Sequence, residues 1–347
     1  MATIVSLYNH KGGVSKTTTT FNLAHALEEH LHKKVLLVDA DPQCNLTELA
    51  LLPIIDAVDE RAEKTGGQVD LPGTTLAQAL APRLDGTRAD VDVEAISLVQ
   101  PDPERQIFVF RGDIALHEAE DQLSYAHSQR MTTDMHQKRN YVAIHDMLRR
   151  LADLHKFEIV LVDVGPSAGA LTRSFFLSCD RFLVPVAPDR FNFQAMGSLT
   201  SILRKWIAEH AGVVADFRKL GLNVAEGKPQ FRGLVMQRFQ RYGGKPKPGF
   251  RIWMKAIPDR ARADLIPALI EASGNRSIVF PACFKEPTAV EIPDFSSLAP
   301  IMLVVGKPVW HLTREDTGWA GTVWDERSAA MEQFRDLIFE LADRIVA

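Results

Sequence analysis

One stretch near the start of the sequence combines residue types suited to holding an anion: Tyr8-Asn9-His10-Lys11-Gly12-Gly13-Val14-Ser15-Lys16-Thr17-Thr18. The two glycines allow a tight backbone turn that bares N–H groups, the two lysines supply positive charge, and a Thr hydroxyl can ligate Mg²⁺. Before it, Thr3-Ile4-Val5-Ser6-Leu7 reads as a short buried strand. After it, Phe21, Ala24, Leu27 and Leu31 recur at helical spacing. Strand, glycine-bearing loop, Lys-Thr and helix together set loop N–H groups and the positive helix N-terminus against a phosphate. A plain Gly-Gly turn with solvated lysines is the bland alternative, and the flanking strand and helix weigh against it.

Two further apolar runs end on carboxylates. Lys34 to Val38 leads into Asp39-Ala40-Asp41-Pro42-Gln43, and Phe157 to Val162 leads into Asp163. In a doubly wound sheet, ligands lie beyond the carboxyl ends of the strands. A buried carboxylate there is costly unless a cation or metal answers it. Each aspartate alone would pass as a turn former, but three beside a phosphate loop point to a Mg²⁺-nucleotide.

The elements that must position these groups alternate along the chain. Strands are expected at Gln106–Phe110, Arg181–Ala187, Arg232–Met236 and Arg276–Phe280, and helices near 75–84, 114–126, 138–155, 193–210, 259–272 and 327–346. That alternation predicts an α/β fold with a doubly wound, mostly parallel sheet. A single domain over 1–347 is expected, with insertions near 53–104, 126–140 and 240–250. Turn signals within the first of these include Gly66-Gly67, and residues 57–70 read as a surface insertion.

Composition narrows the class. Hydrophobic residues make up 46% and charged residues 24%, which suits a globular chain with a sizeable core. No apolar run reaches the roughly 18 residues of a membrane span. No apolar signal segment precedes the first strand, and Cys44, Cys179 and Cys283 are isolated; both point to the cytoplasm. The net charge of −4 hides an asymmetry, because residues 204–262 hold fourteen Lys/Arg against four acids. Such a segment is an electrostatic footprint for a polyanion, or else a solvated face.

His10 and Ser15 occupy the two glycine positions of the strict P-loop pattern, but Lys11-Gly12-Gly13-x-x-Lys16-Thr17-Thr18 resembles the deviant Walker A motif of the ParA/MinD ATPases. Val35 to Thr47 resembles that family's second motif, and Ile159 to Ser167 its Walker B motif, with Gly165 in place of a proline. The resemblance implies a P-loop NTPase binding ATP and Mg²⁺ through Gly12, Gly13, Val14, Ser15, Lys16, Thr17 and Thr18. It implies that Lys16 contacts the β- and γ-phosphates, that Thr17 ligates the metal with Asp39 and Asp163 nearby, and that Asp41 orients the attacking water. Lys11 resembles the signature lysine that enters a partner's site in an ATP-dependent homodimer, so Lys11, Lys16 and Asp41 form the expected catalytic set. Gln237 and Pro281 are expected at the base. The serine at position 15 leads us to expect retained binding with slow or altered hydrolysis.

The family's uses for such a switch include binding nonspecific DNA and binding membrane. The last helix carries Glu332, Asp336, Glu340 and Asp343 against Arg335 and Arg344, so an anionic leaflet gains little from it. DNA is expected instead, through Lys245, Lys247, Arg251, Lys255, Arg260 and Arg262, with nucleoid association and partition or positioning of a cargo as consequences. The 53–104 and 241–250 segments read either as docking sites for a ParB-like activator or adaptor or as passive insertions. The contrasting readings are a MinD-like membrane ATPase and a metabolic P-loop ligase or synthetase; the latter needs a second catalytic constellation that the sequence does not offer.

Overall fold

A computed structural model describes residues 1–66, 70–295 and 297–347. Gly67 of the Gly66-Gly67 turn signal lies outside the described residues. One seven-stranded sheet is built from β1 (Thr3–Leu7), β2 (Val35–Ala40), β3 (Ile107–Phe110), β4 (Ile159–Val164), β5 (Arg181–Val186), β6 (Gln230–Phe239) and β9 (Thr288–Pro293). Its order is β3-β2-β4-β1-β5-β6-β9, and every adjacent pair is parallel. The strands are mostly apolar because both faces are covered. Ile4, Leu36 and Val38 face one core; Val5, Leu7, Val35 and Leu37 face the other.

Helices α1 (Lys16–Leu31), α2 (Asn45–Thr65), α10 (Leu298–Val305) and α12 (Gly321–Val346) contribute buried side chains to the second core. The first core takes α3 (Leu76–Leu84), α4 (Glu118–Gln129), α5 (Met135–His155), α6 (Ala170–Ser178), α7 (Arg190–Lys219), α8 (Pro248–Arg260) and α9 (Ile266–Ser273). A π-helical turn, Ala261–Leu265, joins α8 to α9, and α11 (Arg314–Thr317) is a single turn between α10 and α12. The hairpin β7 (Arg241–Tyr242) and β8 (Lys245–Pro246) turns on Gly243 and Gly244, both at positive φ as a two-residue hairpin turn requires.

Helix α2 continues through Pro53 because Leu46, Leu49, Ala50 and Leu51 anchor its first turns in the core, and residues 57–64 form its largely exposed outer part. In the 126–140 stretch, Ala126, Gln137, Lys138 and Asn140 are buried where α4 and α5 pack, while residues 131–135 between them are exposed. The expected strand at Arg276–Phe280 is a short 3-10 turn, Arg276–Ile278, tied to β6 by one bridge between Phe231 and Val279. The strand that completes the sheet is β9.

Candidate functional site

The stretch Tyr8–Ser15 connects the carboxyl end of β1 to α1, and Gly12 to Thr18 line a cleft of about 470 Å³ together with Asp41, Gln43, Glu48, Pro166 and Leu303. Asn9 sets its start, donating from Nδ2 to the Pro185 carbonyl at 2.8 Å and accepting the Lys11 N–H at 3.0 Å. Gly13 has φ +68, where glycine is the residue of choice. Ser15 adopts φ +59 as the residue preceding α1, so a serine holds a backbone conformation that costs about 1 kcal/mol or more for any residue with a Cβ.

Lys16 is 7% exposed and its Nζ donates to the Asn9 and Lys11 carbonyls, each at 3.3 Å. The lysine is thereby curled under the loop that bears it. Burial lowers its pKa, while the carboxylates of Asp163 and Asp41 oppose that shift. The Thr17 hydroxyl donates to Asp163 Oδ2 at 2.6 Å. Asp163 Oδ1 is buried without a partner among the described residues, and burial with the neighbouring Asp39 charge pushes this carboxyl up to about 7. An orphaned, buried carboxylate oxygen beside a Thr hydroxyl and a lysine fits a site completed by a cation. Among the described residues no cluster of three or more His, Cys, Asp or Glu could hold a metal alone, which suits an ion that takes most of its ligands from phosphate and water.

Asp41 accepts the Gln43 N–H at 3.0 Å and lines the cleft. Opposite it, a Cβ on Gly165 would stand 3.1 Å from Asp41 Oδ1, so the glycine at the position of the family's proline leaves this carboxylate room. Asp39 is placed otherwise than expected. Its Oδ2 accepts the Thr47 N–H at 2.8 Å and the Thr47 hydroxyl at 2.7 Å, and its Oδ1 accepts the Asp41 N–H at 3.3 Å. Asp39 is fully buried, and chiefly by desolvation its pKa rises to about 6. It thus anchors the first turn of α2 through Oδ2, while Oδ1 makes only the longer bond to the Asp41 N–H.

The base contacts divide. Gln237 lies at the carboxyl end of β6, where its Nε2 meets the Thr19 hydroxyl at 2.9 Å beside the loop. Pro281 is not at the site: it follows Val279, which bridges to Phe231 at the opposite end of β6. Six residues of strand, about 20 Å, separate that end from Gln237. The helix that does reach the cleft is α10, through Leu303.

Of the six basic residues expected on DNA, Lys245, Lys247, Arg251 and Lys255 are exposed on the hairpin and α8. Arg260 is half-buried and Arg262 exposed, and both pair with carboxylates of their own chain. Arg260 pairs with Asp264 at 3.1 Å and lies over the Phe193 ring; Arg262 pairs with Asp259 at 2.8 Å. Lys11 is on the rim, its ammonium 5.3 Å from the centre of the Phe191 ring. Sequence reading missed the anchoring role of Asn9 and the reach of Arg238 to the Gly13 carbonyl. The one local signal for the latter is an arginine set into the apolar run of β6.

Sheet order, loop and carboxylates define a P-loop nucleotide-binding ATPase domain. Residues 2–211 match the family model AAA_31, described as an AAA domain, and the chain belongs to that family as an ATPase of ParA/MinD type. It is 25% identical over 302 residues to a ParA family protein of Chlamydia pneumoniae, covering 87% of this chain and 97% of that one. Among solved structures it resembles the protein DIP2308 of Corynebacterium diphtheriae, with TM-score 0.65, 23% identity, and coverage of 88% of this chain and 97% of that one. It also resembles a McdA variant of Cyanothece solved with ATP, with TM-score 0.56, 16% identity, and coverage of 97% and 96%.

Proposed function

We propose that this chain is a ParA-like ATPase that hydrolyses ATP slowly and uses ATP-dependent homodimerisation to bind nonspecific DNA and to partition or position a cargo. The observation that carries the nucleotide part is the Thr17–Asp163 hydrogen bond at 2.6 Å, with Lys16 buried beside it and the second oxygen of Asp163 unpartnered. Lys16 neutralises the β- and γ-phosphates. Thr17 and Asp163 would hold Mg²⁺. When bound, the ion neutralises phosphate charge that develops during transfer. Asp41 orients the attacking water from the open side of the cleft.

Lys11 supports the dimer reading. It stands on the rim over a Phe191 that is 66% exposed, so among the described residues only a weak aromatic contact holds its side chain. The DNA surface is the hairpin and the start of α8, where Lys245, Lys247, Arg251 and Lys255 project. Arg260, half-buried over Phe193, and Arg262, exposed but paired with Asp259, contribute less to that surface. Helix α12 buries Met331, Phe334, Ile338, Leu341 and Ile345 against the body, and no helix among the described residues is long and apolar enough to cross a membrane. A DNA platform in the cytoplasm therefore fits better than a membrane one. A ParB-like activator or adaptor is the expected partner of the DNA-bound state.

The test is retention on nonspecific duplex DNA with ATP, with ADP and without nucleotide, for the wild type and Asp41→Ala. The expected result is salt-sensitive retention with ATP, prolonged in the variant. Retention indifferent to nucleotide would sink the switch.

A further inference from the structure

Five non-glycine residues among those described have left-handed backbone: Ser15, His32, Cys44, Lys156 and Arg238. His32 and Lys156 end helices, where this conformation is ordinary. Ser15 and Cys44 precede α1 and α2, the two helices that open on the nucleotide cleft. Arg238, with φ +60, stands alone in lying inside a strand. Strain of this kind concentrates where a site requires it.

The local geometry shows what the strain accomplishes. The pairing of β6 with β9 shifts register between Gln237 and Phe239, and Arg238 is exposed between these two buried neighbours. Its side chain thereby leaves the sheet and crosses to the phosphate loop, where its Nη1 donates to the Gly13 carbonyl. A trans peptide is planar, with its C=O and the following N–H pointing in opposite directions. Holding the Gly13 oxygen toward Arg238 therefore turns the Val14 N–H away from Arg238. That N–H makes no hydrogen bond among the described residues, and Val14 lines the cleft.

We propose that Arg238 is a positioning residue for nucleotide binding: its guanidinium fixes the Gly13–Val14 peptide so that the Val14 N–H faces the phosphates. This rests on the nucleotide reading above. The clamp also bears on Ser15, two residues on. Glycine reaches φ +59 freely and serine does not, so a loop with serine there gains from an external hold on its preceding turn. Arg238 consequently drops out of the basic residues available to DNA.

The experiment compares wild type, Arg238→Gly, Arg238→Gln and Arg238→Lys. Arg238→Gly keeps the left-handed backbone without cost while removing the guanidinium, which protects against a mere folding defect. Affinities for Mg²⁺-ADP and Mg²⁺-ATPγS are measured by calorimetry, melting temperatures without nucleotide, and the Val14 amide by ¹⁵N NMR in the ADP complex. The expected result is binding about tenfold weaker in the Gly and Gln variants, the size of a missing hydrogen bond to an ordered anion site, with partial rescue by Lys. The Val14 amide resonance should shift back toward its nucleotide-free position, with the Arg238→Gly melting temperature unchanged or raised. Wild-type binding matched within about twofold by Arg238→Gly, with the Val14 amide unmoved, overturns the clamp alone. A wild type that binds neither nucleotide overturns the nucleotide reading itself.

Discussion

The Thr17 hydroxyl and Asp163 Oδ2 are 2.6 Å apart, a link between the first turn of α1 and the carboxyl end of β4 that spans 146 residues of sequence. A cation arriving with nucleotide would find this pair already assembled. Removing either partner leaves phosphate binding to the loop and Lys16 but removes the hold on the metal. In Thr17→Ala and Asp163→Asn, nucleotide affinity should therefore lose its dependence on Mg²⁺. Titration with and without a chelator checks this. Wild type should weaken about tenfold or more on chelation and the variants should hardly respond.

Asp41 has room because Gly165 lacks a side chain. Gly165→Ala should push the carboxylate aside and lower ATP turnover while leaving ADP affinity near wild type. Asp41→Ala should lower turnover by about 10²-fold or more with binding retained, the usual scale for removal of a group that handles the nucleophile. Single-turnover kinetics separates the two steps.

Ser15→Gly relieves a left-handed serine at the start of α1. The melting temperature should rise by about 1–3 °C, as expected for about 1 kcal/mol in a chain of this size. Turnover should rise with it if the Cβ and hydroxyl crowd the γ-phosphate; equal rates and affinities would leave Ser15 a matter of stability only.

Neutralising Lys245, Lys247, Arg251 and Lys255 to Gln should flatten the salt dependence of DNA retention, by up to about 0.9 in logarithmic slope for each phosphate no longer neutralised. Arg260→Gln with Arg262→Gln should instead lower thermal stability and leave the slope nearly intact, since both side chains already have intrachain carboxylate partners. Equal effects from both sets would place the DNA surface elsewhere.

His25 gives a pH prediction of definite sign. It lines a second cavity of about 350 Å³ with Phe21 and His311, and burial lowers its pKa to about 3, with Glu29 opposing the shift and His311 and Arg105 adding to it. The folded protein keeps His25 neutral where the unfolded chain, at the ordinary value of 6.5, takes up a proton. Its contribution is therefore present above about pH 6.5 and is lost as pH falls toward about 3. His25→Phe should gain on wild type by as much as about 1.4 kcal/mol per pH unit over that window, measured by urea unfolding at several pH values.

The residues that carry chemistry were legible because they are contiguous. Lys11 to Thr18, Asp39 to Thr47 and Asp163 to Ser167 each pack an element end and its functional groups into a few positions. Nothing local distinguishes Asp39 from Asp41; only the fold brings Thr47 to hydrogen-bond Asp39 Oδ2. The sheet edge was misread between two candidates. Ile278-Val279-Phe280-Pro281 is the more apolar run, but Thr288–Pro293 has the length to follow β6, and Pro281 went with the wrong choice. Pro53 reads as a boundary, yet packing carries α2 through it. The hydrogen bond between Arg238 and Gly13 crosses 225 residues, and its one local sign, an arginine in the apolar run of β6, does not name the partner.

The wholly parallel sheet has a consequence for the order of events during synthesis. No strand of it can zip onto its predecessor through a hairpin; β1 waits for β4 and β5, more than 150 residues downstream, before either edge is paired. The phosphate loop leaves the ribosome well before Asp163, 146 residues beyond Thr17, and Arg238, 225 residues beyond Gly13. Until they follow, the loop is an unformed tether, and nucleotide can reward folding only once nearly the whole sheet is out.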